Sequence, residues 1–417
     1  MRILKLTPQV EAGLMKRRDG QDREAHRAAA RIVADVKRRG DAALDQWTHK
    51  LDGTDVRGNR LWVTHHEIAA ATKRVNREFL RAIRHAAANV RGVAEKQLPR
   101  EWSLGVEPGV NVSQLIRPIE SVGCYIPGGR FALFSTMIMT VVPAQVAGVK
   151  RILVVCPRAN DELLAVADAL GVTHLARVGG AQAIAALAYG TKRITPVEKI
   201  FGPGNRYVTA AKQIVSFDCA IDLPAGPTEA IVLARTGNPR WIAADMLAQA
   251  EHAPDAGSYL VTTSARLANQ VQKEISAQLE LLPHSNPARI SSEQTGAILL
   301  ARAWDEGIAF VNRFAPEHLS LPECSPGLLK KIRCSGTVFV GHLSAQPFGD
   351  YASGSNHVLP TGGWARRRGG LSTSDFVKQI SVQTISPAGY RQLAHDVQIM
   401  ARAEGLFAHA NAVEVRK

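Results

Sequence analysis

Apolar and polar positions along this chain repeat with two different periods, and the change between them marks its organisation. From residue 22 to about 100 the period is helical. HRAAARIVADVKRRG spaces its apolar residues three and four apart and stops at Gly40, and THHEIAAAT opens with Thr64 three residues before Glu67, a capping box. Between about 125 and 235, short apolar runs alternate with helix-like stretches: RILVVCPR before DELLAVADALG, HLARVGG before AQAIAALAYG, EKIFGPGN before RYVTAAKQIVSF, and then AIVLA. That alternation predicts βαβ units, hence a parallel sheet covered by helices, with ligands at the carboxyl ends of its strands. Those ends are rich in glycine, at YIPGG (Tyr125–Gly129), VGGAQ (Val178–Gln182) and GPGN (Gly202–Asn205). Bare backbone there, with the free N–H groups of a following helix, suits a phosphate. Neither GxGxxG nor GxxxxGK[ST] occurs, so on spacing alone turn glycines are an equally good reading.

The window Phe131–Val149, FALFSTMIMTVVPAQVAGV, carries no charge over nearly a bilayer's width. Ser135, Thr136, Thr140, Pro143 and Gln145 interrupt it and no second span accompanies it, which predicts a buried core helix and no membrane.

Beyond residue 235 the polar positions carry the chemistry. WIAADMLAQAEH, Trp241–His252, sets Asp245, Gln249 and His252 four and three apart, on one helical face. NRFAPEHLSL places Glu317 beside His318, FGDYASGSNHVLP carries Asp350 and His357, and AEGLFAHANAV carries Glu404 and His409. These imidazoles and carboxylates are compatible with zinc. Each also has an ordinary reading: a single histidine on a mixed face is usually packed and hydrogen-bonded, Asp350 suits a turn, and by donor chemistry Asp245 outranks the amide of Gln249. Spacing alone assembles no site. The adjacent His65 and His66 diverge at a helix start and read as surface residues.

At 417 residues the chain is long enough for two or three domains. Its five cysteines, Cys124, Cys156, Cys219, Cys324 and Cys334, are scattered without a CxxC pair, which fits a reducing cytoplasm, and MRILKLTPQVEAGLMKRR lacks a signal-peptide core. The net charge of +14 comes in short runs, Lys16–Arg18, Lys37–Arg39 and Arg366–Arg368, with no aromatic interleaving. It predicts a solvated basic surface whose field draws in an anionic small molecule such as a dinucleotide, and no nucleic-acid partner.

The segments YIPGG, VGGAQAIAALAYGT, KIFGPGN, DLPAGPTE, LAQAEH, APEHL, GDYASGSNHVLPT, GGLSTSDFVKQISVQ and AEGLFAHANAV occur in one order across nearly the whole chain. In them the sequence resembles the histidinol dehydrogenases, zinc enzymes that end histidine biosynthesis. The resemblance implies oxidation of L-histidinol, through an enzyme-held aldehyde, to L-histidine with reduction of two NAD⁺. It implies His318 as general base and Glu317 as the group that activates water for the second oxidation, so that neighbouring side chains serve successive steps. It places zinc ligands on Gln249, His252 and Asp350 of one subunit and His409 of the other in a homodimer, one zinc per subunit, holding the substrate's imidazole and amino nitrogens. Substrate contacts fall on Thr228, Gln249, His252, His318, Asp350, His357, Glu404 and His409, and NAD contacts on Tyr125, Gln182 and Asn205. The family commonly has serine where Thr228 stands, which keeps the hydroxyl and adds a methyl.

The fold expected is α/β, with two incomplete Rossmann-like domains, one inserted in the other. Residues 1–21 form an N-terminal segment, 22–124 and 231–371 the metal-bearing catalytic domain, 125–230 the inserted NAD-binding domain, and 372–417 a C-terminal segment exchanged in the dimer. A same-fold zinc and NAD dehydrogenase of another alcohol, such as a sulfonated diol, is the chief alternative, and His357 and Glu404 argue against it. A zinc hydrolase would leave the glycine-rich sheet without purpose, and HExxH is absent. RNA binding by the basic surface would show a steep salt dependence.

Overall fold

The computed structural model describes residues 1–18, 23–128, 133–223 and 226–416. Gly129 of the YIPGG turn, Phe131 and Ala132 of the apolar window, and Pro224 and Ala225 of DLPAGPTE lie outside the described residues.

Six parallel strands form one sheet in the spatial order Arg2–Lys5, Ala297–Leu300, Gly257–Thr262, Glu229–Leu233, His318–Leu321 and Thr337–Val340. Five parallel strands form a second, in the order Leu175–Ala176, Arg151–Val155, Ser121–Tyr125, Lys199–Phe201 and Ala220–Ile221. Central strands of both, Glu229–Leu233, Gly257–Thr262 and Ser121–Tyr125, are buried along their whole length. Near-continuous apolar runs such as AIVL are what a parallel sheet covered on both faces requires. The βαβ reading of the middle of the chain therefore holds.

The helices before it go where their apolar stripes find cover. Arg23–Arg39 and Asp41–Asp52 pack Ala29, Ile32, Val36 and Leu44 against Val155, Ile184 and Val208. His65–Arg74, whose Thr64–Glu67 capping box is formed, and Arg77–Gln97 pack Ile68, Ile83 and Val90 against Val122, Val154 and Ile138. Both sets cover the five-stranded sheet, one on each face. This overturns the grouping of 22–124 with 231–371: an amphipathic helix announces that it needs a partner surface, and its sequence does not say which sheet supplies one. Residues 1–21 are likewise no separate segment, since Arg2–Lys5 is the edge strand of the six-stranded sheet and Leu6 and Leu14 pack on Tyr259 and Phe314. The chain thus leaves the six-stranded sheet after Lys5 and returns to it at Glu229.

The helix Phe134–Ala147 is apolar all round and buried almost throughout, as the interrupted window predicted. No described helix is long and apolar enough to cross a membrane.

Val377–Ile385 pairs antiparallel with Val110–Pro118, which pairs with Trp102–Glu107, so 102–118 belongs with the C-terminal segment. After it, helices Pro387–Ala403 and Phe407–Glu414 pack on each other, with Tyr390 Oη donating to Val413 O at 2.6 Å. Ile380, Val382, Met400 and Phe407 of this region are exposed.

Candidate active site

A cavity of about 1250 Å³ opens where the two parallel sheets meet, room enough for a dinucleotide beside a small substrate. The five-stranded sheet reaches it with carboxyl ends, through Gly202–Asn205 after Lys199–Phe201 and Asp222–Leu223 after Ala220–Ile221. The six-stranded sheet reaches it with amino ends: Thr228 precedes Glu229–Leu233, Glu317 precedes His318–Leu321, and His318 is the first residue of its strand.

At the carboxyl ends, backbone does the work. Gly202 has φ 114°, and a Cβ there would lie 2.1 Å from the Tyr125 carbonyl oxygen, so the GPGN turn admits only glycine at this point. Gly202 N donates to Asp222 Oδ2 at 2.7 Å, while Lys212 Nζ donates to Gly202 O at 2.9 Å and pairs with Asp222. Lys212 and Asp222 are both buried, which makes the pair a brace for the turn. Asn205 Oδ1 accepts from Tyr207 N and Val208 N at 3.0 and 3.1 Å, capping the helix Arg206–Val215 that follows.

Of the three residues expected to touch NAD, only Asn205 lines the cavity. Tyr125 Oη accepts from Gly180 N at 3.2 Å, and Gln182 Nε2 donates to Asp52 Oδ2 at 3.0 Å, both within the protein. Gln182 Oε1 is buried with no partner.

At the amino ends, side chains converge. The helix Trp304–Phe314 ends at Ala315, whose φ of 51° is the one positive value for a non-glycine among the described residues. That left-handed turn delivers Glu317 and His318 into the cavity wall. Glu317 Oε2 accepts from Thr228 Oγ1 and, at 3.0 Å, from Glu229 N. Thr228 Oγ1 in turn accepts from Gln249 Nε2 at 2.8 Å.

His318 is 3 % exposed, and neither ring nitrogen has a hydrogen-bond partner. Nδ1 lies 3.7 Å from Glu317 Oε2 and Nε2 3.6 Å from Asp350 Oδ1, beyond hydrogen-bond reach. Burial opposes its cation, but the Glu317 charge and Asp350 outweigh that and the pKa is raised above 6.5. For Asp350 burial works upward, and His318 overcomes it to hold the carboxyl low. His357 is pushed down by burial; its Nδ1 lies 2.8 Å from Asp350 O and its Nε2 3.1 Å from Thr136 Oγ1. Asp245, pushed up to about 6 by burial, does not line the cavity.

The donors available to a metal in this chain are Gln249, His252 and Asp350. His252 Nδ1 lies 3.0 Å from Ala248 O, which fixes that nitrogen as the donor and leaves Nε2 with a lone pair, as a ligating imidazole requires. His252 and Asp350 line the cavity, whereas Gln249 lies directly behind Thr228 and is fully buried. Among the described residues no group of three His, Cys, Asp or Glu side chains could hold a metal ion; of the expected ligands, His252 and Asp350 reach the cavity and Gln249 does not. Glu404 and His409 do not line this chain's cavity and are exposed on the C-terminal helices.

Sequence reasoning passed over four residues here, Glu229, Arg18, Thr136 and Gln346. Glu229, 3 % exposed beside Glu317, has a pKa pushed up to about 8 by burial, against the pull of Arg18 with its guanidinium 3.8 Å away. Thr136 holds His357, and Gln346 donates to Gln249. Thr136, Arg18 and Glu229 fall in segments already singled out for other reasons, and Gln346 in none.

The histidinol dehydrogenase family model matches residues 15–417. The histidinol dehydrogenase of Geobacillus kaustophilus is 46% identical over 400 residues, covering 94% of each chain. That of Methanothermobacter thermautotrophicus is 46% identical over 394 residues, 93% of this chain and 92% of its own. The crystal structure of histidinol dehydrogenase from Elizabethkingia anophelis superposes with a TM-score of 0.94 at 38% identity, covering 100% of this chain and 98% of that one. By the family model over nearly its whole length, by these relatives and by the shared fold, this chain belongs to the histidinol dehydrogenase family.

Proposed function

We propose that the chain oxidises L-histidinol to L-histidine in two successive two-electron steps, with Glu317 and His318 in separate roles. As a family member it is an NAD-dependent oxidoreductase of histidine biosynthesis. The observation that carries the division of labour is the contrast between the two neighbours: Glu317 Oε2 accepts from two donors, and neither ring nitrogen of His318 has a hydrogen-bond partner.

In the first step His318 takes the hydroxyl proton as hydride leaves the carbon. A buried imidazole with an unoccupied nitrogen is suited to this, and its raised pKa makes the proton well held once taken. In the second, Glu317 takes a proton from the water that adds to the aldehyde, and a second hydride leaves. Thr228 and Glu229 N occupy Oε2 of Glu317, which leaves Oε1 to take that proton. Zinc, when bound, would hold the substrate's imidazole and amino nitrogens, and NAD⁺ would accept each hydride. Gln249, His252 and Asp350 would hold the metal, with His357 and Thr228 against the substrate and Asn205, Tyr125 and Gln182 on the NAD side.

The metal set is completed in this reading by His409 of the C-terminal segment, exchanged between two copies of the chain, with Glu404 reaching the same site. The exposure of both residues, and of Ile380, Met400 and Phe407 around them, supports that exchange. The two parallel-sheet units are then incomplete Rossmann-like domains, one inserted in the other, working in the cytoplasm as a homodimer.

The test is the NADH formed per L-histidinol consumed by zinc-loaded protein in excess NAD⁺. Two NADH with histidine as product is expected. One NADH with free aldehyde, or none from folded protein that binds NAD⁺, would overturn the reading and turn attention to another alcohol. Mixing His409→Ala subunits with subunits carrying Glu317→Gln and His318→Asn should restore activity, since one site per mixed dimer is then intact.

A further inference from the structure

Arg18 ends the helix Pro8–Arg18 in a basic run that reads as solvated surface, yet its side chain is only 6 % exposed. Its guanidinium lies over the Phe314 ring, 4.5 Å from the centroid, and Nη1 donates to Phe314 O. The same Nη1 lies 3.8 Å from Oε1 of Glu229, whose side chain is buried too. Gly363 makes room for Nη2: its φ is 74°, and a Cβ there would lie 2.6 Å away. Phe314 is the last residue of Trp304–Phe314, and the last carbonyls of a helix have no partner within it. Ala315 follows in its left-handed turn, a conformation that a residue with a Cβ keeps only where the surroundings impose it. Glu317 and His318 come directly after, and Arg18 lines the cavity beside them.

We infer that Arg18 is the positioning residue for the Glu317–His318 pair, an inference that rests on the roles given to that pair above. It ties together the two pieces of chain between which Glu317 is held. One is the helix end, whose Phe314 carbonyl it grips three residues before Glu317. The other is the start of the strand Glu229–Leu233, where Glu229 turns its carboxyl to Arg18 and its backbone N–H to Glu317 Oε2 at 3.0 Å. Arg366 donates to the neighbouring carbonyl, Arg313 O, but from an exposed side chain. Arg18 is the buried tie of the two. Its loss lets the Ala315 turn relax and carries Glu317 and His318 off their geometry together, while the glycine-rich edge of the other sheet keeps its place.

The test compares full-length Arg18→Ala with the unmodified protein, reading kcat from L-histidinol, kcat from L-histidinal and KM for NAD⁺. We expect kcat to fall on the order of 10²-fold in both oxidations, the cost of a small misplacement of reacting groups, with KM for NAD⁺ unchanged. Guanidinium chloride far below denaturing concentrations should restore much of the lost rate, by standing beside Phe314 where the side chain stood. Sodium chloride at the same concentration should not. Unchanged kcat, a loss confined to one of the two oxidations, or a loss that guanidinium relieves no better than sodium would overturn the inference. If Arg18→Ala does not fold, Arg18→Met, which keeps the stem and removes the cation, decides. Slowing of both oxidations at unchanged KM for NAD⁺ then supports the role, and unchanged kcat or slowing of one alone overturns it. No NADH from the unmodified protein would sink the roles of Glu317 and His318 and this inference with them, a result distinct from equal rates in both proteins.

Discussion

The two parallel sheets meet the same cavity with opposite edges, and the edges are made of different material. The five-stranded sheet presents carboxyl ends, where helices begin. Arg206–Val215 starts directly after the GPGN turn, offering N–H groups and a positive helix end that suit phosphate. The six-stranded sheet presents amino ends, where helices finish. Trp304–Phe314 ends just before Glu317, and Pro239–Ala250 ends between Gln249 and His252. Helix carboxyl ends favour cations, which fits both a metal ion and an imidazole whose pKa is raised. The same strand chemistry thus offers an edge suited to anions and an edge suited to cations, according to which end faces inward.

This contrast makes chemistry and cofactor binding separable by mutation. The largest effect is expected at the cation edge: His318→Asn should lower kcat for both alcohol and aldehyde oxidation by about 10²- to 10⁴-fold, the contribution of a general base, with NAD binding by calorimetry unchanged. At the anion edge, Lys212→Met leaves Asp222 buried without its counter-charge and should cost about 3–5 kcal/mol of stability, seen as an earlier denaturant midpoint. KM for NAD⁺ should rise with it while zinc affinity holds. A loss of zinc in that variant would break the separation.

The pH profile sharpens the picture further. The base must be neutral to act, so kcat/KM should climb as pH rises through the His318 pKa, with the limb above pH 6.5. Burial pulls that pKa down, and the Glu317 charge does most to lift it, so Glu317→Gln should move the limb to lower pH. The smallest effect is assigned to Asn205→Ala. Losing the cap of Arg206–Val215 should cost about 1 kcal/mol and raise KM for NAD⁺ a few-fold, with the zinc site untouched.

Much of this was legible in the chain. The βαβ alternation announced the five-stranded sheet, and Phe134–Ala147 was recognisable as core from its interruptions. The rule that clefts lie at carboxyl strand ends brings GPGN to the cavity and misses Glu317 and His318, because nothing in APEHLSL says which end of its strand faces a cavity. The helices 23–97 were misassigned for a related reason: an apolar stripe carries no address. Tyr125 and Gln182 bond within the fold, to Gly180 N and Asp52, while Gln182 Oε1 keeps no partner. Donor chemistry preferred Asp245 and the resemblance Gln249; neither lines the cavity, and Gln249 stands directly behind Thr228.

The division of labour between neighbours is tested most directly by Glu317→Gln, with each oxidation measured separately from L-histidinol and from L-histidinal. Aldehyde oxidation slowed at least tenfold more than alcohol oxidation, on the order of one lost proton-transfer contribution, is the result predicted. Equal slowing of both oxidations would contradict it and leave Glu317 as a support for His318 alone.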